Sequence, residues 1–223
     1  EAIDDESGRS VSISSNGNIV AIGAPWNDGV SGTPALEGHV RIYEHNGSSW
    51  NQLGQDIDGE GPTSDWSGHS VSLNSAGNII AIGAYSNGDN LGNGNGYNSG
   101  HVRIYEYNGT SWIQLGQDID GESAGSQSGK SVSISNDGYT VAIGADYNDN
   151  PNGSQAGHVR IYNWDGSSWI QIGQDIDGEA AIDISGSAVS LSGDGSIVAI
   201  GAELNDGNGN VSGHVRVYKY NGT

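Results

Sequence analysis

The sequence predicts an all-β fold, a β-propeller built of four-stranded blades, and three observations carry that prediction. The hexapeptide Gly-His-Val-Arg-Ile/Val-Tyr stands at 38–43, 100–105, 157–162 and 213–218. Its histidines, His39, His101, His158 and His214, are 62, 57 and 56 residues apart, longer steps than ankyrin, leucine-rich or WD40 units take and suited to one blade each. The apolar residues also fall in short strand-length runs separated by Asn-Gly and Asp-Gly pairs, and no segment has a helical period. Finally, 38 glycines and only 34% hydrophobic residues describe a loop-rich chain, while the ordering of the apolar runs separates it from a disordered one. Residues 1–223 read as a single array of four units, visible as a window of a larger propeller or repeat array.

The opening residues 1–7 (EAIDDES) match 179–185 (EAAIDIS), so the chain is expected to begin in the tail of a unit. Each unit's first strand alternates small polar and β-branched residues, as in Ser10 to Ser14, Ser70 to Asn74, Ser131 to Ser135 and Ser187 to Ser192. Asn16-Gly17, Ala76-Gly77, Asp137-Gly138 and Asp194-Gly195 follow, and the Asn-Gly and Asp-Gly pairs predict two-residue hairpins. The second strand, IVAIGA at 19–24 and its relatives at 79–84, 140–145 and 197–202, is continuously apolar and is expected at the centre of the blade, buried on both faces. A connection of variable length and Asn/Asp/Gly composition leads to the Gly-His-Val-Arg-Ile-Tyr strand, which places His, Arg and Tyr on one face and Val and Ile on the other. A second turn (Asn46-Gly47, Asn108-Gly109, Asp165-Gly166) leads to a last strand headed by Trp50, Trp112 or Trp169, which runs into an Asp-Ile-Asp-Gly-Glu turn.

Several function classes are excluded by the totals. There is no cysteine, so no disulfide framework or thiol chemistry is available. Twenty-seven acidic against 7 basic residues give a formal charge of -20, which argues against nucleic acid as a partner, because phosphate binding rests on Lys and Arg. No run approaches the roughly 18 apolar residues of a membrane helix, and membrane insertion is not expected.

The order of motifs resembles the FG-GAP repeat family, the blade unit of integrin-α-like propellers, in its bacterial-type branch. The resemblance rests on Ser67-Gly68-His69-Ser70-Val71-Ser72, Ile22-Gly23-Ala24-Pro25, Gly38 to Tyr43 and the Trp-led last strand, and spans the whole chain. It departs from the family pattern where Ser7, Ser67, Ser128 and Ser185 replace the family's Phe, and where Tyr85, Asp146 and Glu203 replace Pro. The resemblance implies an extracellular or cell-surface module. The family's Asp-rich calcium loop between the first two strands does not carry over, because Ser15 to Asn18 and its equivalents are too short and too poor in carboxylates.

The acidic residues concentrate elsewhere. Strand alternation puts the variable loops and the last-to-first loops on one face, and most of the acids sit there. They include Glu1, Asp4, Asp5 and Glu6, then Asp56, Asp58, Glu60 and Asp65. The next two loops supply Asp118, Asp120 and Glu122, and Asp175, Asp177, Glu179 and Asp183; Asp28, Glu37, Asp89, Asp146, Asp149, Glu203 and Asp206 come from the variable loops. Two readings stand side by side. In one, the Asp-Ile-Asp-Gly-Glu turns hold Ca2+, with Asp65 or Asp183 completing the oxygen cluster. In the other, the aspartates make Asx turns and pair with Arg41, Arg103, Arg160 or Arg216 of a neighbouring blade.

One histidine per blade reads as structural and spread around the ring, and the repeated tryptophans are expected to pack between blades. Residues that break the repeat, Trp26, Trp66, His45 and His69, are where an enzyme's site would lie, and none has an evident acid-base partner. Asn46, Asn108, Asn152, Asn210 and Asn221 open Asn-x-Ser/Thr sequons, which are also ordinary turn chemistry. The expectation is a non-catalytic extracellular module for adhesion or structural assembly. The alternatives are a receptor for protein or glycan ligands on the acidic face and, third, a propeller enzyme. The fourth unit stops short of its Trp-led strand, which predicts an open blade edge and head-to-tail self-association.

Overall fold

The computed structural model describes residues 3–28, 36–60, 64–88 and 95–222. Within them the fold is all-β without a helix, arranged as successive antiparallel sheets of the propeller-blade type. The first sheet contains β1 (Ser10–Ile13), β2 (Ile19–Ala24), β3 (His39–His45), β4 (Trp50–Gln52) and β5 (Ile57–Asp58). The second repeats it as β6 (Ser70–Leu73), β7 (Ile79–Ala84), β8 (His101–Tyr107), β9 (Trp112–Gln114) and β10 (Ile119–Asp120). The third follows with β11 (Ser131–Ile134), β12 (Thr140–Ala145), β13 (His158–Trp164), β14 (Trp169–Gln171) and β15 (Ile176–Asp177). The fourth has β16 (Ser185–Leu191), β17 (Ile197–Ala202) and β18 (His214–Lys219). In every sheet the alanine that ends the second strand pairs with the histidine that begins the third, Ala24 with His39 and Ala84 with His101 among them.

The central placement of the IVAIGA strands is as expected, and β7 and β12 are buried along their whole length. Alternation in the next strand sends Val40, Ile42, Val102 and Ile104, all fully buried, into cores that lie between sheets. One core joins Val40 and Ile42 to Val71, Leu73, Ile80 and Ile82 of the next sheet, and two further cores continue the series. Burial of each such aliphatic side chain contributes about 1.5–3 kcal/mol, so the seams hold the array together.

Two expectations need correction. The last strand is not continuous: β4 and β5 both pair with β3, and the chain breaks between them at Gly54, with φ 78°. Gly116 and Gly173 repeat the break, with φ 82° and 71°. At Gly54 and Gly116 it makes room for a tryptophan of the following blade, since a Cβ there would stand 2.8 Å from Cδ1 of Trp112 and 3.1 Å from Cδ1 of Trp169. The first hairpin is also longer than two residues. Ser14 N–H donates to the Ile19 carbonyl and Gly17 N–H to the Ser14 carbonyl, so only the glycine takes a positive φ, of 75°. The Asn16 carboxamide oxygen then accepts the Asn18 N–H at 2.9 Å, which makes the asparagine an Asx cap rather than a left-handed turn residue.

The seams share one hydrogen-bond pattern. Ser12 Oγ accepts the Leu73 N–H, Ser72 Oγ accepts that of Ile134, and Ser133 Oγ accepts that of Leu191, at 2.9, 3.1 and 2.9 Å. Ser10, Ser70 and Ser131 donate to the carbonyls of Gly68, Gly129 and Gly186. The small polar residues of the first strands thus join blade to blade.

Candidate metal sites at the blade seams

The variable and last-to-first loops meet, as strand alternation predicts. Asn27 donates to Asp5 at 3.1 Å, Asn148 to Ser126 at 3.2 Å and Asn205 to Asp183 at 2.8 Å. Glu1 and Asp89 lie outside the described residues.

Within this face the histidines are not set apart from the acids. Three groups each bring one histidine and two carboxylates within 4.8 Å: His39 with Asp56 and Asp58, His101 with Glu60 and Asp118, and His158 with Glu122 and Asp175. Such acid-and-imidazole groups are placed to hold a metal ion. Register creates them, because β5 pairs Asp58 with His39 and β10 pairs Asp120 with His101, which brings each Asp-Ile-Asp-Gly-Glu turn back over the histidine end of the third strand.

The second group spans a seam. His101 Nδ1 faces Glu60 Oε2 of the preceding blade at 3.9 Å and Asp118 Oδ2 of its own blade at 3.8 Å. In the third, His158 Nδ1 faces Glu122 at 3.9 Å and Asp175 at 3.7 Å. Burial, reinforced by the adjacent Arg103 and Arg160, pushes the imidazoles down to about 3 and about 4, so both are neutral at physiological pH. The contacts are therefore not ion pairs, and at these lengths they are not hydrogen bonds. The Nε2 atoms of both rings are buried without a hydrogen-bond partner. These histidines are not the fully satisfied structural residues the repeat suggested.

Other predicted residues take different roles. Asp65 accepts the Glu60 N–H at 2.9 Å and Asp183 accepts the Ala180 N–H at 3.0 Å, so both brace the turn's backbone and neither joins the groups. Asp58, Asp120 and Asp177 lend their main-chain carbonyls to Arg103, Arg160 and Arg216 of the following blade, at 2.8, 2.8 and 2.6 Å. Burial raises the side-chain pKa of all three aspartates. The same arginines reach Glu60, Glu122 and Glu179 at 3.7, 3.5 and 4.0 Å. Cross-blade arginine pairing therefore occurs, but to the glutamates; Arg41 instead binds Asp56 of its own blade at 2.9 Å.

The residues that break the repeat do converge. Trp26 and Trp66 lie 6.1 Å apart, Trp66 meets Tyr85 edge-on at 5.2 Å, and His69 meets the same tyrosine at 4.4 Å. Lys130 Nζ sits 4.2 Å from the Tyr85 ring centre. Tyr85 and Lys130 were visible as departures from the repeat at the Pro25 and Arg9 positions, but only the fold shows that these two positions adjoin across a seam. His45, by contrast, only stacks on Trp50, at 5.1 Å.

Asp146, also at the Pro25 position, is 2% exposed and its Oδ1 has no hydrogen-bond partner. Burial raises its pKa from 3.8 to about 6, with Lys130 pulling the other way. A raised carboxyl pKa means that the folded state holds the proton more tightly, so this term favours folding below pH 3.8 and is lost as pH rises to about 6. Asp146→Asn should therefore stabilise the chain above pH 6 by on the order of 2–3 kcal/mol, with no gain at pH 3.5. Thermal melts of both proteins at the two pH values check it; equal gains at both would remove the ionisation argument.

Fold and seams together define a propeller-type blade-repeat protein with histidine–carboxylate groups between its blades. No family model and no curated protein matches the chain. Among solved structures it is similar to hydrazine synthase of Kuenenia stuttgartiensis, with TM-score 0.56 and 10% identity, over 98% of this chain and 47% of that one. The chain thus spans about half the length of that protein, and at this identity the likeness is one of fold alone.

Proposed function

We propose that the chain is a non-catalytic repeat module of an extracellular or cell-surface structural or adhesion assembly, whose copies join head to tail and whose acidic seams are stiffened by divalent cations. The observation that carries it is the unpaired pair of end faces. Val71 and Leu73, which receive the first blade, are 9% and 8% exposed, while their equivalents Val11 and Ile13 are 65% and 60% exposed. Val40 and Ile42, which cover the second blade, are fully buried, while their equivalents Val215 and Val217 are 67% and 65% exposed. Each end thus presents one half of a contact that the chain already makes internally, and a further blade of this repeat, in a second copy or in the same polypeptide, has the matching half. The resemblance to integrin-like blades and the repeat-locked titratable groups support a structural rather than a chemical role. Calcium, the ion expected from the acidic turns, would bind their carboxylate oxygens.

Sedimentation velocity tests the assembly. The sedimentation coefficient should rise with concentration, and Ile13→Asp or Val217→Asp should each limit growth. Mixing the two variants should yield dimers and nothing larger, because each retains one competent end. A concentration-independent monomer would overturn the proposal.

A further inference from the structure

We infer that the first and second seams each bind a divalent transition ion of the zinc class, held by one imidazole and two carboxylates: His101, Glu60 and Asp118 at one, His158, Glu122 and Asp175 at the other. This rests on the reading that cations stiffen the seams and specifies which ion the geometry selects.

The observation pointing to a ligand is the imidazole. The His101 and His158 side chains are 2% and 1% exposed, and each aims Nδ1 at two carboxylate oxygens that stop at 3.7–3.9 Å, beyond hydrogen-bond reach. Nδ1 therefore shares no hydrogen bond with the carboxylates that face it, and an ion between the three donor atoms would bridge them; the orphaned Nε2 lies on the far side of the ring. Zinc–ligand bonds of about 2.0–2.2 Å set neighbouring ligand atoms of a tetrahedral ion roughly 3.4 Å apart, so each histidine–carboxylate distance needs to close by only a few tenths of an ångström.

The carboxylates are oriented for this. Asp118 accepts Gln114 Nε2 on Oδ1 at 2.6 Å and turns Oδ2 to the histidine; Asp175 does the same with Gln171 at 2.7 Å. Glu60 and Glu122 face Arg103 and Arg160 through Oε1 and the histidine through Oε2. Each aspartate thus has one oxygen anchored and the other offered, as in the outer shell of a metal centre. The ligands come from two blades, so an ion would staple them. Calcium asks for 6–8 oxygens, whereas an imidazole with two carboxylates suits zinc. The chain contains its own control: His214 faces only Glu179, at 3.5 Å, and belongs to no three-residue group among the described residues.

The test uses the intact chain, stripped with chelator and titrated calorimetrically with zinc chloride and, separately, calcium chloride, each paired with thermal melts. Zinc should bind at about two ions per chain and raise the Tm. His101→Gln with His158→Gln should weaken zinc binding by more than about 100-fold, since ligand loss exceeds the outer-shell effect. His214→Gln should leave it unchanged. Calcium binding without zinc binding would overturn the inference and leave the cation reading standing; binding of neither would overturn both. Zinc binding that the double substitution leaves unchanged would overturn the site, since the His39 group, which it spares, accounts for at most one ion. Should the double variant fail to fold, cobalt(II) added to the stripped wild-type chain gives the same decision: an intense tetrahedral visible spectrum supports the site, and an octahedral, hydrated spectrum overturns it.

Discussion

Gly83→Ala is expected to destabilise the chain by about 3 kcal/mol or more, while Gly201→Ala at the equivalent place in the fourth blade leaves it near wild type. A Cβ on Gly83 would lie 2.1 Å from the Gly129 carbonyl oxygen and 2.3 Å from Ser70 Oγ. The hydroxyl can rotate away, at the loss of its own bond to that carbonyl, but the carbonyl is main chain of the next blade and cannot move without opening the seam. Gly23 and Gly144 meet the same obstacle, with the Gly68 and Gly186 oxygens 2.0 Å from the added carbon. On Gly201 the nearest atom is Ala188 Cβ at 3.5 Å, an ordinary contact, and alanine there loses less chain entropy on folding than glycine. Urea unfolding of both variants measures the contrast; a loss below about 1 kcal/mol for Gly83→Ala would mean that the blades do not approach through these glycines.

That contrast shows what the sequence made legible. The glycine in every IVAIGA run marked a repeated demand but not its cause, since the atom that Gly23, Gly83 and Gly144 avoid lies in the following repeat, 42–46 residues away. Strand identity, order and central placement were readable because period-two alternation and turn residues are local signals. Pairing register was not, and the sites depend on it. Glu60 is four residues from Asp56 in the chain, yet it serves His101 of the next blade while Asp56 serves His39 of its own. Judged one repeat at a time, the histidines looked isolated and the acids looked like one continuous cluster. Folding divides the acids between neighbouring seams and gives each seam a histidine. Asp65 and Asp183 escaped the same logic because a carboxylate that caps a backbone N–H carries the same letter as one that holds an ion.

Trp112→Ala should cost about 3–5 kcal/mol, and Trp50→Ala less than about 1 kcal/mol, although the two tryptophans head equivalent strands. Trp112 is 2% exposed and donates from Nε1 to the Leu53 carbonyl of the preceding blade at 2.8 Å. Gln55 closes a second pair of bonds around it, accepting the Trp112 N–H at 3.1 Å and donating to its carbonyl at 2.9 Å. Truncation opens a cavity in the first seam and leaves the Leu53 carbonyl without that donor. Trp50 is 47% exposed and packs on His45, so its removal opens no cavity. The size of the effect also tests the architecture. Stability in a stacked array is a sum of blade and seam terms, so weakening one seam should uncouple the first blade from the rest. Calorimetry of Trp112→Ala should then resolve two transitions where the wild type shows one, with the smaller assigned to the first sheet by hydrogen exchange in β1 to β3. A single lowered transition would instead mean that the blades share one cooperative core and that the seams are not its weak points.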